Sequence, residues 1–598
     1  MLRATALVLS FQSGAAQALT HIDDPAALAA IEARGFSFAE LVLGRPGPES
    51  NGQLAAHPAY STLAGRIAAD LDERAGSDPY LAVTMAKKHR LFNKKWLTSP
   101  KATYELAGIF NRADRDVFAL DPRGACGEIR FIYRLAYSYL HQGKPVYSRL
   151  PMTLNVVFFA GDEGKTSPAD CLRLHRQWHE STGGEKIAAP MIDRKHFRPA
   201  MLKSVEINLQ SVRWPSTVRK DMGGYAEYLL RAFKPVDAGI RSFVPAPMEN
   251  MPDTARIKAS PGLAREFKAW LRDPANVRQM SNGYGALPEK FLARKAVSVA
   301  LYGSGRAANL PFSQLVSVED FRDVKFSDSP YVKSAAGYLR RLNDMTCAGC
   351  HQGRAVAGFH FVGIDNERTH PANRIQMAAS AHLVSELERR AAYLAARAGK
   401  GAGRPERPFS ERPDSDKGGY GSHCALGRDP SFATWTCDAD HDCMAIDTNV
   451  NDHEVGRCMP KKSIHAGDPC DFGRITWNPD ALRDKMISKV SRDCGTGRWC
   501  LTAGDGFPGG LCFGECSGRR PGEACGGIAV NGFNECLGRG ELFLNCLDKY
   551  TSPITTRACD RSKPCRDDFI CAASDTGEGA CVPPYFLFQL RADGHPKP

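Results

Sequence analysis

The chain has 598 residues, 43% of them hydrophobic, and a formal net charge of +12. A length like this leaves room for about four domains. The charge is too modest for the size to argue for nucleic acid as a partner. No stretch beyond the first residues approaches the roughly 18 apolar residues of a membrane-spanning helix, so no transmembrane segment is expected.

Met1-Leu2-Arg3, an apolar run from Ala4 to Phe11 and the small-x-small site Ala16-Gln17-Ala18 read as a secretory signal peptide over 1–18. Export implies a periplasmic or extracellular location for the mature chain. Asp24 and Pro25 suit the N-cap and first position of a helix that Gly35 can end. A second helix is expected from Tyr60 to Arg74. The densest basic patch, Lys87, Lys88, Arg90, Lys94 and Lys95, reads as a solvated face, with docking of an acidic partner as the alternative.

Strand patterns come next. Tyr104 to Phe110 is one candidate. Ile129, Phe131, Tyr133, Leu135 and Tyr137 alternate with polar residues, as do Met152, Leu154, Val156 and Phe158, and then Val205, Ile207 and Leu209. Lys144-Pro145 is the expected turn between the second and third. Four such strands with helices before and after them predict an α+β domain over 19–319 built on an antiparallel sheet.

Cys171, His175 and His179 fall four residues apart along one helix face. They could hold zinc or copper. The preferred reading pairs Cys171 with Cys126 and leaves the histidines at the surface, because a lone thiol does not survive export well. Ser260-Pro261 opens a helix with Leu263, Phe267, Trp270 and Leu271 on one face. Helix is expected again from about Asp320, with Tyr331 to Asn343 leading into Cys347.

Cys347-Ala348-Gly349-Cys350-His351 has the spacing C-x-x-C-H. Two thiols at this separation can each add to one vinyl group of a haem, and the imidazole after them sits under the iron. Here the chain resembles the c-type cytochromes. A thioredoxin-like pair would want a βαβ pattern, and a zinc site would want a second pair at the right spacing; neither pattern is found in the residues around it. The loop 353–363 and a helix from Asn373 to Ala398 complete the helix–motif–loop–helix order of a small cytochrome c, so a cytochrome c-like haem module is placed at 320–398. The resemblance implies haem c, with Cys347, Cys350 and His351 binding it and His351 on the iron. Small cytochromes c use a Met as sixth ligand, which points to Met377. His360, set between Phe359 and Phe361, is the preferred candidate.

Tyr104-Glu105-Leu106 through Asn111-Arg112, Cys126-Gly127-Glu128-Ile129-Arg130-Phe131 and the haem motif together resemble an uncharacterised group of exported bacterial proteins. That resemblance bears on architecture and implies no substrate.

Pro, Gly and charge dominate 399–422, which reads as a linker. Sixteen of the 20 cysteines lie beyond it, in 423–598. A degenerate repeat runs through this tail: Cys437-x5-Cys443 leads to Cys458, Cys494-x5-Cys500 to Cys512, and Cys559-x5-Cys565 to Cys581. The expectation is a disulfide-rich repeat domain, folding independently of the haem module and open to a surface partner. Asp447, Asn449 and Asn451 have calcium-loop spacing, but Asp452 stands where such a loop wants Gly.

The sequence therefore predicts a multidomain α+β protein: an antiparallel sheet with helices, a helical cytochrome c-like module and a disulfide-rich repeat tail. The expected activity is electron transfer by one covalent haem with an unspecified redox partner. A peroxidase-like enzyme with an open iron and a surface binding protein with a structural or sensory haem are the alternatives.

Overall fold

A computed structural model describes residues 20–76, 91–118, 121–141, 143–180, 192–213, 226–237, 239–300, 309–326, 328–349, 381–400 and 403–409, and in the tail 417–418, 422–444, 455–461, a few short strands and the last residue. The protein is mixed α+β, and its centre is an antiparallel sheet. Eight strands make up the sheet: β1 (His21–Ile22), β2 (Ala102–Arg112), β3 (Glu128–His141), β4 (Lys144–Phe159), β5 (Leu202–Arg213), β6 (Ala226–Pro235), β7 (Phe243–Ala246) and β8 (Ala296–Ala300). They lie in the order β1 to β7, and β8 shares the edge of β6 with β7. The turn between β3 and β4 precedes Lys144; Lys144 and Pro145 are already paired in β4, opposite His141 and Leu140.

Alternation gives the sheet two unlike faces. Ile129, Phe131, Tyr133, Leu135, Met152, Leu154, Val156, Val205, Ile207 and Leu209 point into the main core. Against them pack α1 (Pro25–Ile31), α2 (Phe38–Leu43), α3 (Asn51–Leu54) and α4 (Pro58–Gly76), through Leu28, Ile31, Phe38, Leu41, Leu54, Tyr60, Leu63, Ile67 and Leu71. α1 starts as its sequence suggests: Asp24 Oδ1 accepts from Ala27 N at 2.7 Å and Pro25 comes directly after it. α5 (Pro168–Glu180) is tied to the start of β3 by the Cys126–Cys171 disulfide. The opposite sheet face carries Glu105, Arg130, Arg134, Thr153, Asn155, Glu206, Asn208 and Gln210, and all but Glu105 and Glu206 are buried.

A second core is built from α6 (Thr254–Ala259), α7 (Pro261–Arg272), α8 (Pro274–Ser281) and α9 (Ala335–Asp344), with Phe312 and Phe321 from the connecting turns. Phe409, Phe432, Trp435 and Val455 belong to the same core. The first cysteine repeat therefore does not stand apart, contrary to expectation: Ser334 Oγ, the N-cap of α9, donates to Asp429 at 2.6 Å, and Lys333 N donates to Ser431 Oγ at 3.0 Å. Nor is all of the expected linker loose, since Arg341 of α9 donates to the carbonyls of Arg407 (2.8 Å) and Pro408 (2.9 Å). The last helix, α10 (Ala381–Arg397), packs instead on the main core through Ala391, Tyr393 and Leu394.

The first repeat is a three-stranded sheet, 423–425, 455–460 and 441–444 in that order, closed by Cys424–Cys443 and Cys437–Cys458. No helix among the described residues is long and apolar enough to cross a membrane.

Candidate functional site

α9 delivers the first half of the C-x-x-C-H stretch. Ser334 caps its start, and Met345 and Thr346 close its end by donating to Arg341 O (3.0 Å) and Asn343 O (3.1 Å). The Thr346 hydroxyl then donates to Asn343 O at 2.7 Å and accepts from Gly349 N at 2.8 Å, which curls 346–349 into a tight turn. A side chain at 349 would run into the Asn343 carbonyl, so only glycine fits that position of the motif.

This turn rests on the polar sheet face, at its β6–β8 edge. Ser298 Oγ donates to Ala348 O at 3.0 Å, and Ala348 is fully buried against Leu230, Ala232, Met248, Met251 and Ala296. Cys347, between two buried neighbours, is half-buried on the rim of that apolar patch. Its Sγ donates to Glu249 O at 3.5 Å. The 248–251 turn that presents this carbonyl is itself pinned: Asn250, at φ 52°, is buried, donates to Gly285 O at 3.0 Å and accepts from Leu287 N at 2.8 Å.

An ion-pair network runs from Glu249 across the sheet. The Glu249 carboxylate pairs with Arg115, which stands 3.7 Å from Glu128. Glu128 also takes Arg130 at 2.7 Å and Lys203, and Arg130 reaches Glu206 at 3.2 Å. Burial opposes ionisation of Glu128, but Lys203, Arg130 and Arg115 outweigh it and hold its carboxyl well below the usual carboxylate range. On the far side of the 113–118 turn, Asp114 binds Arg112 (2.8 Å) and Arg389 of α10 (2.7 Å). Asp116 accepts from Tyr393 Oη at 2.7 Å and pairs with Arg397 at 2.8 Å. The helix after the motif in sequence is thus bolted to the turn that also steadies the motif.

Of the expected ligands, Cys347 is where the geometry can be read; Cys350, His351, His360 and Met377 lie outside the described residues, as do Asp447, Asn449 and Asn451. Cys171 is disulfide-bonded, so it has no thiolate to offer a metal. His175 is not at the surface, as had been expected, but buried beneath α5, where burial and the nearby Arg397 lower its pKa to about 4. His179 is half-buried. In the tail, the sulfurs of Cys424, Cys437 and Cys458 lie within 4.8 Å of one another, but all three are already oxidised in disulfides. The sequence did not single out Glu249, Arg115, Met248 or Met251 around Cys347, because they approach it only through the tertiary fold.

No protein-family model, curated protein or solved structure matches the chain.

Proposed function

We propose that the protein is an exported mono-haem c-type cytochrome that transfers electrons. The observation that carries this reading is C-x-x-C-H itself, begun at a half-buried thiol on the rim of an apolar patch. What supports the fit is on the Cys347 side: its half-buried thiol meets an apolar wall, and the turn through Gly349 leads on toward the second cysteine of the motif. Cys347 and Cys350 would hold the group through thioether bonds to its vinyl groups, an addition that needs no oxidant. His351 would supply one imidazole ligand to the iron, and His360, in preference to Met377, would supply a second. Bound in this way, the group supplies a one-electron couple. Around it the chain provides an apolar wall from Met248, Met251 and Ala348, and a charged frame from Arg115, Glu128 and Glu249. The disulfides accord with an oxidising compartment, which supports a periplasmic or extracellular site of action.

The test is a pair of absorption spectra, oxidised and reduced, of the wild type and of His360→Ala and Met377→Ala. The reading expects a low-spin wild type, a high-spin ferric spectrum for His360→Ala, and little change for Met377→Ala. If only Met377→Ala opens the iron, the ligand assignment changes and electron transfer stands. If neither opens it, Met248 and Met251, packed beside Cys347, are the next thioethers to replace. A high-spin wild type that turns over peroxide would make the protein an enzyme.

A further inference from the structure

The α10 side of the 113–118 turn holds more positive charge than its partners balance. Four guanidinium groups, Arg112, Arg389, Arg390 and Arg407, surround two carboxylates, Asp114 and Glu386. Glu386 alone takes Arg389 at 2.7 Å, Arg407 at 3.0 Å and Arg390 Nε at 3.1 Å. Arg112 and Arg390 are each only 2% exposed. Both terminal nitrogens of Arg390, and Nη1 of Arg389, are buried with no hydrogen-bond partner among the described residues. Buried guanidinium edges are otherwise matched by oxygens, because water cannot reach them. Burial and the neighbouring Arg390 pull Arg112 down to about 9, with Asp114 pulling the other way. Burial lowers Arg390 as well, against Glu386 and Asp114.

We infer that Arg390, with Arg112 and Arg389 beside it, forms a buried site for a carboxylate. The open edge of Arg390 presents two parallel N–H donors, which match the two oxygens of one carboxylate. Two sources share that chemistry. One is the carboxylate side chains of a haem held at Cys347, which lies across the same 113–118 turn through Arg115 and Glu249; this version rests on the function proposed above. The other is a separate carboxylate ligand.

The experiment measures the melting temperature of the full chain against succinate at constant ionic strength, with chloride as the balancing salt. It compares the wild type with a Cys347→Ala/Cys350→Ala double variant that cannot attach haem. The inference expects succinate to raise the melting temperature of the double variant saturably, and Arg390→Met in that background to abolish the rise. Arg390→Lys keeps the charge without the two-pronged edge. It should weaken the succinate midpoint by about tenfold, the size of one charge-assisted hydrogen bond; it also serves if the Met variant does not fold. A haem-loaded wild type that no longer responds identifies the haem carboxylates as the occupant. Equal responses in both forms identify a separate ligand. A wild type without covalent haem whose response still needs Arg390 sinks the haem reading and keeps the site. The absence of a saturable response in both forms, or a response that survives loss of Arg390, overturns the inference.

Discussion

His175 sits fully inside the protein, and neither of its ring nitrogens has a hydrogen-bond partner among the described residues. Its pKa is lowered from 6.5 to about 4, by burial first and then by Arg397. A histidine depressed in this way stabilises the fold fully above its unfolded pKa and loses that contribution as pH falls through 6.5 toward 4. The contribution at stake is roughly 3 kcal/mol. His175→Leu should therefore flatten the melting temperature across that interval, as tracked by circular dichroism; an unchanged slope would place the titration elsewhere. Glu386 makes the opposite case. Burial opposes its charge, but Arg389, Arg407 and Arg390 hold its carboxyl well below the usual range. Glu386→Gln strands those cations and should cost roughly 3–5 kcal/mol in denaturant unfolding. At this scale the sequence made only the Cys126–Cys171 pairing legible, since two lone cysteines in a chain expected to be exported have few alternatives. It could not reveal that Asp114 would meet Arg389, or that His175 would be covered, because long-range packing sets both.

At the scale of elements, four strands were legible: Tyr104 to Phe110 lies within β2, and β3, β4 and β5 alternate apolar with polar residues although both faces are largely buried. β6 was missed because neighbouring Leu229 and Leu230 are both buried, on opposite faces of the sheet, and adjacent apolar residues show no period of two. The cysteine repeat was seen, but its third copy was phased one cysteine early. In the first copy Cys424 lies opposite Gly456 and Cys443 opposite Cys458. In the third, Cys559 lies opposite Gly579 and Cys571 opposite Cys581. The equivalent of Cys437-x5-Cys443 is therefore Cys565-x5-Cys571, and Cys559 corresponds to Cys424. In the second copy Cys500 lies opposite Cys512, which makes Cys470 the counterpart of Cys424. Carrying over the first copy's bonds predicts Cys470–Cys500, Cys494–Cys512, Cys559–Cys571 and Cys565–Cys581. Peptide mapping of the unreduced protein should recover these four cross-links. Recovery of Cys559–Cys565 or Cys494–Cys500 would show that the repeats share spacing without sharing a fold.

Across the whole molecule, residues 347–349, the described part of C-x-x-C-H, follow directly on a helix of the second core. α9 before the motif belongs to the second core together with the first cysteine repeat, and α10 after it is fixed to the main core by Asp114, Asp116 and the Arg176 side chain of α5, which donates to Ala398 O at 3.2 Å. The two helices expected to flank the motif thus pack on different cores, an arrangement that sequence periodicity along one segment has no means of recording. The central proposal is that Cys347 and Cys350 carry a covalent haem. Intact-mass measurement of the purified, unfolded protein, then thiol alkylation and peptide mapping, tests it most directly. The account predicts one haem retained under denaturing extraction on the peptide containing Cys347 and Cys350, with neither thiol open to alkylation. Haem that washes out completely, with both thiols alkylated, would contradict it.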